Sequence, residues 1–302
     1  MNKDKDFLGT EPVGKLMFRL ALPTITAQLI NMLYNIIDRI YIGHIPGNGA
    51  LALTGVGVCM PLIMIISAFA ALVGGGGAPH ASIAMGKNDL NTAEHILGNC
   101  FFLQILISII LTVILLFGNR TFLLAFGASE NTIEYAVNYM NIYAVGTIFV
   151  QLTLGMNMFI TTQGFAKTGM LSVLIGAVMN IVLDPLFIFV LGFGVQGAAI
   201  ATVISQTLSA VFVLYFLTRK AELKVRFIRK NEISECAGYA KNIVSLGTSG
   251  FVMQLTNSLV TICCNNVLSV TGGDIYISVM TIVSTMEGMK AKTMEQFAAM
   301  GS

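Results

Sequence analysis

The stretch ILGNCFFLQILISIILTVILLF, residues 96–117, decides the class of fold because it runs for 22 residues without a charged side chain. About 20 apolar residues in a helix cross the hydrocarbon core of a bilayer. Further apolar runs of this kind lie at 16–42, 51–73, 135–160, 168–191, 197–217 and 242–270, with a shorter eighth run at 275–285. The sequence therefore predicts an all-α integral membrane protein with seven transmembrane helices and part of an eighth.

The composition excludes an ordinary soluble protein. Of the 302 residues, 55% are hydrophobic and 11% are charged, whereas about 25% of the residues in a soluble domain are charged. A net charge of +2 is too small to indicate nucleic acid as a partner, so the predicted surroundings are membrane lipid. The glycine run at 74–77 lacks the GK[ST] ending of a phosphate-binding loop, and we interpret it as the yielding inner end of the second span. No cofactor is predicted.

The basic residues set the predicted orientation, since cytoplasmic loops carry an excess of Lys and Arg. With the N terminus inside, Arg120 is the one basic residue of the outer loops. The cytoplasmic side then holds Lys3, Lys5, Lys15, Arg19, Lys87, Lys167, Arg219, Lys220, Lys224, Arg226, Arg229, Lys230 and Lys241. The sequence therefore predicts a multi-pass protein of the cell membrane with a cytoplasmic N terminus.

The spans divide the chain into four predicted segments. These are a cytoplasmic tail at 1–15, six helices at 16–217, a basic cytoplasmic loop at 218–241, and a seventh helix, part of an eighth and a polar tail at 242–302. The nine residues QLINMLYNI from Gln28 match QLTNSLVTI from Gln254 at five positions, so the seventh span is expected to open a second copy of the six-helix unit. Two parallel halves around a central cavity are typical of transporters.

Two acidic residues, Asp38 and Asp184, lie well inside predicted spans. Charged groups in hydrocarbon cost several kcal/mol, so acids inside a membrane are usually functional. Gln28, Asn31, Asn35 and Asp38 fall within an arc of about 80° on the first helix. Such a polar stripe must face other helices or a water-filled cavity, because lipid offers it no hydrogen-bond partners.

The second acid has neighbours that are rich in oxygen. Asn180 precedes Asp184 by one helical turn, and Pro185 leaves the carbonyl of Ile181 free because proline has no N–H to donate. Carboxylate, amide and carbonyl oxygens are hard ligands, which suit Na⁺ or a proton held on the acid. On the sixth span, Thr202 and Gln206 are also one turn apart.

Three spans place these polar groups at a similar depth. At about 1.5 Å per residue, Asp38 lies about 8 Å from the outer end of its span, Asp184 about 12 Å and Thr202 about 8 Å. Polar residues with separate structural roles would not need to lie at the same depth. The agreement favours one shared site for an ion or a substrate.

Other polar residues are weaker candidates. Tyr139 and Tyr143 share a face of the fourth span, and either line the cavity or belong to an interfacial aromatic belt. Arg39 points about 100° away from Asp38. We expect it to turn toward the outer rim, where its charge reaches water, although pairing with Asp38 is the structural alternative. The candidate cavity residues are Gln28, Asn31, Asn35, Tyr139, Tyr143 and Gln206.

Four groups of residues carry a family resemblance. They are Leu22-Pro23 with YNIIDRIYIG at 34–43, Gln163-Gly164 with Lys167, NIVLDPLFIF at 180–189, and GVQGAAIAT at 194–202. In these motifs, which extend with their flanks over residues 12 to about 284, the chain resembles the MATE (multidrug and toxic compound extrusion) transporters. The pair of motifs on the fifth and sixth helices is the most specific part of the resemblance.

The resemblance implies a twelve-helix antiporter with two lobes, which exports cationic and amphipathic small molecules against entry of Na⁺ or H⁺. Here it implies a MATE-like six-helix N-lobe followed by the first one to two helices of the C-lobe. In the prokaryotic branch with an acid on the first helix, the cation site would consist of Asp38, Asn180, Asp184 and Thr202, with no metal beyond a possible Na⁺. Because MATE chains are longer, we expect a C-terminally truncated sequence.

Two other functions compete with efflux. A lipid-linked oligosaccharide or polysaccharide flippase of the same superfamily would share the fold, but would be expected to carry more cationic residues in its cavity. An intramembrane aspartyl protease also needs two buried acids, yet neither Asp38 nor Asp184 stands in a Gly-x-Gly-Asp context. The amide and acid stripe favours cationic cargo, so we predict a transporter and not an enzyme.

Overall fold

The computed structural model describes residues 12–225 and 233–301, and it describes side chains at 12, 14, 21–225 and 238–285. Residues 1–11 of the predicted tail and 226–232 of the predicted basic loop lie outside the described residues, as do the side chains of 286–302. Of the predicted cytoplasmic cations, those with described side chains are Lys87, Lys167, Arg219, Lys220, Lys224 and Lys241.

Within these residues the chain consists of helices and their connections, which confirms the predicted all-α class. The helices are α1 (Val13–Gly43), α2 (Gly49–Gly86), α3 (Leu90–Ala125), α4 (Ile133–Thr162), α5 (Ala166–Pro185), α6 (Gly194–Arg219) and α7 (Ile233–Gly301). In the described part, six segments are long and apolar enough to cross a membrane: α2, α3, α4, α6, Ala166–Val190 and Gly238–Thr285. Large apolar side chains such as Phe117, which is 89% exposed, cover the outside as lipid requires.

The second helix differs from its prediction. It continues to Gly86 instead of ending at residue 73, so the interpretation of the glycine run as a yielding end is wrong. Three of these four glycines lie inside a regular helix at points where neighbouring helices approach too closely for a side chain. Gly74 packs on Gly155 of α4, Gly76 on the backbone of Ile243 of α7, and Gly77 on Cys100 of α3.

The end of α5 is irregular. After Pro185 the chain makes one wide π-helical turn, Leu186–Val190, because proline supplies no N–H to the regular ladder. Phe189 of this turn packs edge-on against Tyr41 of α1, with 6.2 Å between the ring centroids. This contact joins the ends of α1 and α5 close to Asp38.

The last helix reverses direction at Gly273, whose φ of 65° lies in the left-handed region that glycine adopts without strain. We call 233–272 the first arm and 274–301 the second arm. Their contacts with α2 show the reversal: the first arm places Gly247 on Leu72 and Ser258 on Pro61, whereas the second places Asp274 on Thr54 and then Thr281 on Gly57. The predicted seventh and eighth spans therefore form a hairpin against α2.

Two buried apolar clusters fill the bundle, one toward each end. We call the end that carries Lys87, Lys167 and Arg219 the basic end, and the other the opposite end. The cluster at the basic end contains Phe159, Leu217 and Ile243, and it joins α2, α3, α4 and α6 to the first arm. The cluster at the opposite end contains Ile42, Ile133 and Ile277.

The neighbouring glycines Gly75 and Gly76 should respond to alanine in opposite directions. A Cβ at Gly76 would collide with the backbone of Ile243, so Gly76→Ala is expected to lower the free energy of unfolding by about 1–3 kcal/mol. At Gly75 a Cβ meets no atom within 4 Å, so Gly75→Ala is expected to raise it by up to about 1 kcal/mol through helix propensity. Thermal unfolding in detergent measures both, and equal shifts would contradict the α2–α7 packing.

Candidate functional site

Two acids meet in the interior between α1 and α5. Asp38 is 8% exposed and Asp184 is fully buried. Their carboxyl groups lie close enough to interact with each other. Two carboxyl groups share a hydrogen bond only when one carries a proton, and two carboxylates repel each other unless a cation neutralises them. The pair is therefore suited to take up one positive charge.

The side chain of Asn180 connects this pair to α6. Its Nδ2 donates to Asp184 Oδ1 at 3.1 Å and to Thr202 Oγ1 at 3.4 Å. Asn180 is 2% exposed, so these bonds form away from solvent. The structure thus brings together Asp38, Asn180, Asp184 and Thr202, the four residues of the predicted cation site.

Several oxygens around this cluster have no donor. Among the described side chains, these buried oxygens are Asp38 Oδ1, Asn180 Oδ1, Asp184 Oδ2, Ser205 Oγ and Gln206 Oε1. Buried polar atoms in proteins are nearly always satisfied, so a concentration of unsatisfied ones requires an explanation. Oxygens of this kind are the ligands that a hard cation prefers.

Arg39 does not reach the membrane rim, and that expectation is wrong. It is 7% exposed, and its Nη2 donates to Met60 Sδ of α2 at 3.0 Å. Its Nε and Nη1 have no acceptor in the part of the chain that the structure describes. The reason is that α1 packs against α5, α2 and α7, so the faces on both sides of Asp38 are covered. Pairing with Asp38 was the alternative, and the buried guanidinium does act electrostatically on that acid.

The tyrosines of α4 lie in the core. Tyr139 and Tyr143 are 4% and 6% exposed and stack on each other, with 6.0 Å between ring centroids. This burial makes the interfacial-belt alternative wrong. Tyr139 is close enough to Asp38 to interact with it electrostatically, so α4 forms one wall near the acids.

The remaining candidates are less closely connected to the acids. Asn35 Nδ2 donates to the carbonyl of Asn31 at 2.6 Å, one turn earlier in α1, and Gln28 is partly buried. Gln206 lies one turn from Thr202. Its backbone carbonyl accepts a hydrogen bond from the hydroxyl of Thr153 at 3.2 Å. The contacts of the described residues join none of these three side chains directly to the acid pair.

Two glutamines escaped the sequence analysis. Gln104 of α3 donates to the carbonyl of Ala70 at 3.1 Å, and Gln151 of α4 donates to that of Ile66 at 2.8 Å. Both side chains are fully buried and hold α3 and α4 on the same face of α2. Each glutamine is an amide within an apolar span, which could have marked it as a candidate. The carbonyl that it binds lies on another helix and could not be predicted from the sequence.

A separate cavity of about 260 Å³ lies at the basic end, between α2, α3 and the first arm. Its lining includes His80, Lys87, Asp89 and Asn242, and none of the predicted site residues. Asp89 caps α3 by accepting the N–H of Thr92 at 3.1 Å. Hydrogen bonds from the side chain and backbone of Thr92 hold the pKa of Asp89 below its usual range.

Comparison with known proteins gives a consistent picture. The MatE family profile matches residues 23–186. Multidrug export protein MepA of Staphylococcus haemolyticus is 27% identical over 210 residues, which are 70% of this chain and 46% of that protein. MepA of Staphylococcus aureus is 24% identical over 249 residues, which are 81% of this chain and 53% of that protein. The chain thus spans about half the length of these curated relatives.

Solved structures are similar over nearly the whole chain. The MATE multidrug transporter DinF-BH, solved in complex with a small molecule, is 31% identical with a TM-score of 0.85, and the match covers 96% of this chain and 64% of that one. A MOP superfamily transporter from Pyrococcus furiosus, described as having a binding pocket of reverse polarity, is 26% identical with a TM-score of 0.82. That match covers 95% of this chain and 63% of the transporter.

Removal of the Asn180 amide should destabilise the bundle. Asn180→Ala leaves Asp184 Oδ1 without its donor in a buried place, so the free energy of unfolding is expected to fall by about 1–3 kcal/mol. Asn35→Ala is the control, because its amide bonds to the carbonyl of Asn31 within its own helix, and its cost is expected to stay below about 1 kcal/mol. Denaturation in detergent compares the two, and a larger loss for Asn35→Ala would refute the bridging role.

Proposed function

Since the chain belongs to the MatE family, we propose that it is a secondary active transporter which exports cationic and amphipathic compounds in exchange for H⁺ or Na⁺. The acid pair of Asp38 and Asp184, bridged to Thr202 by Asn180, carries this proposal. Relatives named as multidrug export proteins, and the small-molecule complex of the similar multidrug transporter DinF-BH, support the class of cargo.

The orientation follows from the charges. Lys87, Lys167, Arg219, Lys220 and Lys224 lie at the basic end, so this end is assigned to the cytoplasm of the cell membrane. Asp38 and Asp184 then lie in the outer half of the bundle, close to the turn at Leu186–Val190. An ion from outside reaches them first.

The mechanism derives from neutralisation. With both carboxylates ionised, their repulsion separates α1 from α5; a bound H⁺ or Na⁺ removes the repulsion and draws Asp38 toward Asp184. The π-helical turn and the Tyr41–Phe189 contact lie next to this movement and adapt to it. Repacking of α1 against α5 and α6 reduces the space available to cargo, which leaves to the outside. The ion gradient supplies the work, so no nucleotide is consumed.

The enzyme alternative is excluded by the family. The chain matches transporters along nearly its whole length, and Asp184 accepts a hydrogen bond from Asn180, which also donates to Thr202 of α6. An intramembrane aspartyl protease is therefore not a candidate.

A flippase for lipid-linked sugars remains the second candidate because of one observation. Arg39 places a buried guanidinium, with Nε and Nη1 lacking acceptors in 21–225 and 238–285, next to the acids. A cation inside the bundle is the feature by which an anionic cargo would be recognised. The single charge of Arg39 faces two carboxylates, so cationic cargo remains the better match.

Transport should depend on the acid pair. In proteoliposomes containing the chain, ethidium movement is expected to follow either an imposed Na⁺ gradient or an imposed pH gradient, and Asp184→Asn and Asp38→Asn are each expected to reduce it at least tenfold. Glu134→Gln is the control, since Glu134 is exposed and forms an ion pair with Arg120 at 2.7 Å, whereas the acid pair is buried. Its transport rate is expected to stay at the wild-type level.

Either of two results would contradict efflux of cations. One is full gradient-driven movement in Asp184→Asn. The other is movement of a lipid-linked sugar, without movement of ethidium, under the same gradients; that result would favour the flippase.

Removal of the buried positive charge should strengthen cation binding. Arg39→Gln leaves the two acids without a competing guanidinium, so the Kd for the coupling ion is expected to fall several-fold at constant pH. Arg39→Lys keeps the charge and is expected to remain within about twofold of wild type. Equilibrium binding of ²²Na⁺ measures the effect directly if the ion is Na⁺. A weaker affinity in Arg39→Gln would show that Arg39 positions the acids and does not compete with the ion.

A further inference from the structure

We propose a second cation position in the same bundle, one helical turn nearer the basic end than the acid pair. Its ligands are the unpartnered oxygens of Asn180, Ser205 and Gln206, and its occupant is a partly dehydrated Na⁺ ion. The inference rests on the proposed cation coupling and adds to it the next step of the ion's path.

The directions of the helices place this position. Helix α5 runs away from the basic end and α6 returns to it, so Ser205 and Gln206 lie one turn closer to the basic end than Thr202. Asn180 contacts Thr202. Gly176, one turn before Asn180, faces the Ser205 carbonyl at 3.7 Å from the position of a Cβ. Asn180 and Ser205 therefore lie on consecutive turns of the α5–α6 interface, and Gln206 follows Ser205 on α6, where its backbone carbonyl contacts Thr153 of α4.

The hydroxyl of Ser205 is unusual among those of α6. Thr207 and Thr218 donate to carbonyls one turn earlier, Val203 and Leu214 at 2.7 Å each, as hydroxyls in helices commonly do. Ser205 is 2% exposed, yet within the described residues its hydroxyl contacts no donor or acceptor. A buried hydroxyl that gives up its usual bond indicates a partner other than the protein.

Asn180 borders both positions. Its Nδ2 is used by Asp184 and Thr202, whereas its Oδ1 has no donor among the residues with described side chains. An ion that leaves Asp184 toward the basic end can stay beside Asn180 while Ser205 and Gln206 replace the carboxylate. A hydroxyl and two amide oxygens are hard but neutral ligands, so they hold Na⁺ more weakly than the acids do. Weak binding at the second position allows the ion to leave quickly, as expected for a site on the release path.

The test separates the rate of ion release from affinity. The purified chain in nanodiscs is equilibrated with ²²Na⁺ to obtain Kd, and release is then followed after dilution into unlabelled Na⁺. Ser205→Ala is expected to slow release at least fivefold while Kd stays within twofold. Gln206→Met, which has similar volume without the amide, is expected to do the same, and Ser205→Thr is expected to restore the rate.

Ser209→Ala is the matched control. Ser209 lies one turn further along α6 and is equally buried at 2% exposure, but its hydroxyl is already used by the carbonyl of Ser172 at 2.9 Å. Its release rate is expected to equal that of the wild type. Slowed release in Ser209→Ala would show a general packing effect and overturn the inference.

The remaining outcomes also decide the matter. Unchanged release in Ser205→Ala overturns the second position, and so does a loss of affinity in parallel with the rate. If the wild type binds no ²²Na⁺ but Asp184→Asn abolishes proton-driven transport, the second position is refuted while the proposed function stands. If Asp184→Asn changes neither ²²Na⁺ binding nor proton-driven transport, both proposals are refuted.

Discussion

A polar atom inside the hydrocarbon layer finds no water, so each one must bond within the protein, and this constraint organises the bundle. Gln104 and Gln151 donate through their amide nitrogens to carbonyls of α2, although their side-chain oxygens have no donor, and Ser209 donates to a carbonyl of α5. These bonds hold the helices in fixed pairs. The unsatisfied oxygens of Asp38, Asp184 and Asn180 differ from these because they belong to side chains that contact one another. Their concentration between α1, α5 and α6 separates a binding site from the general polar contacts of the interior.

Much of the fold and the cluster of four residues could be predicted from the sequence, because both depend on local rules. Helical length follows from the hydrocarbon thickness, and the stripe that ends at Asp38 follows from the helical repeat. The depth of Asp184 and Thr202 follows from counting residues to the glycine turns. Helix length, the polar stripe and the depth of a residue can be calculated without knowing which helices are neighbours, so they can be predicted from the sequence.

The predictions that were wrong depend on which helices pack against each other, and only the folded structure shows this. The run that begins at Gly74 resembles a flexible end, but close backbones of α4 and α7 make it a packing surface inside α2. Arg39 resembles a residue that reaches water, but three helices cover its face. Ser205 carries no signal of its own, since a serine in a span is ordinary until its missing hydrogen bond is seen. In each of these three cases, the tertiary contacts must be known before the role of the residue can be assigned.

The burial of Arg39 has an electrical consequence. With both acids ionised, the two carboxylates and the guanidinium of Arg39 together carry one negative charge, and one monovalent ion cancels it. The empty site then moves as an anion in the membrane field, whereas the loaded site moves as a neutral group. A potential of 100 mV changes the energy of a full charge crossing by about 2.3 kcal/mol. Under the proposed exchange the ion-free protein carries the cargo outward, so voltage acts on that step when the cargo is uncharged, whereas a cargo with one positive charge cancels the charge of the site.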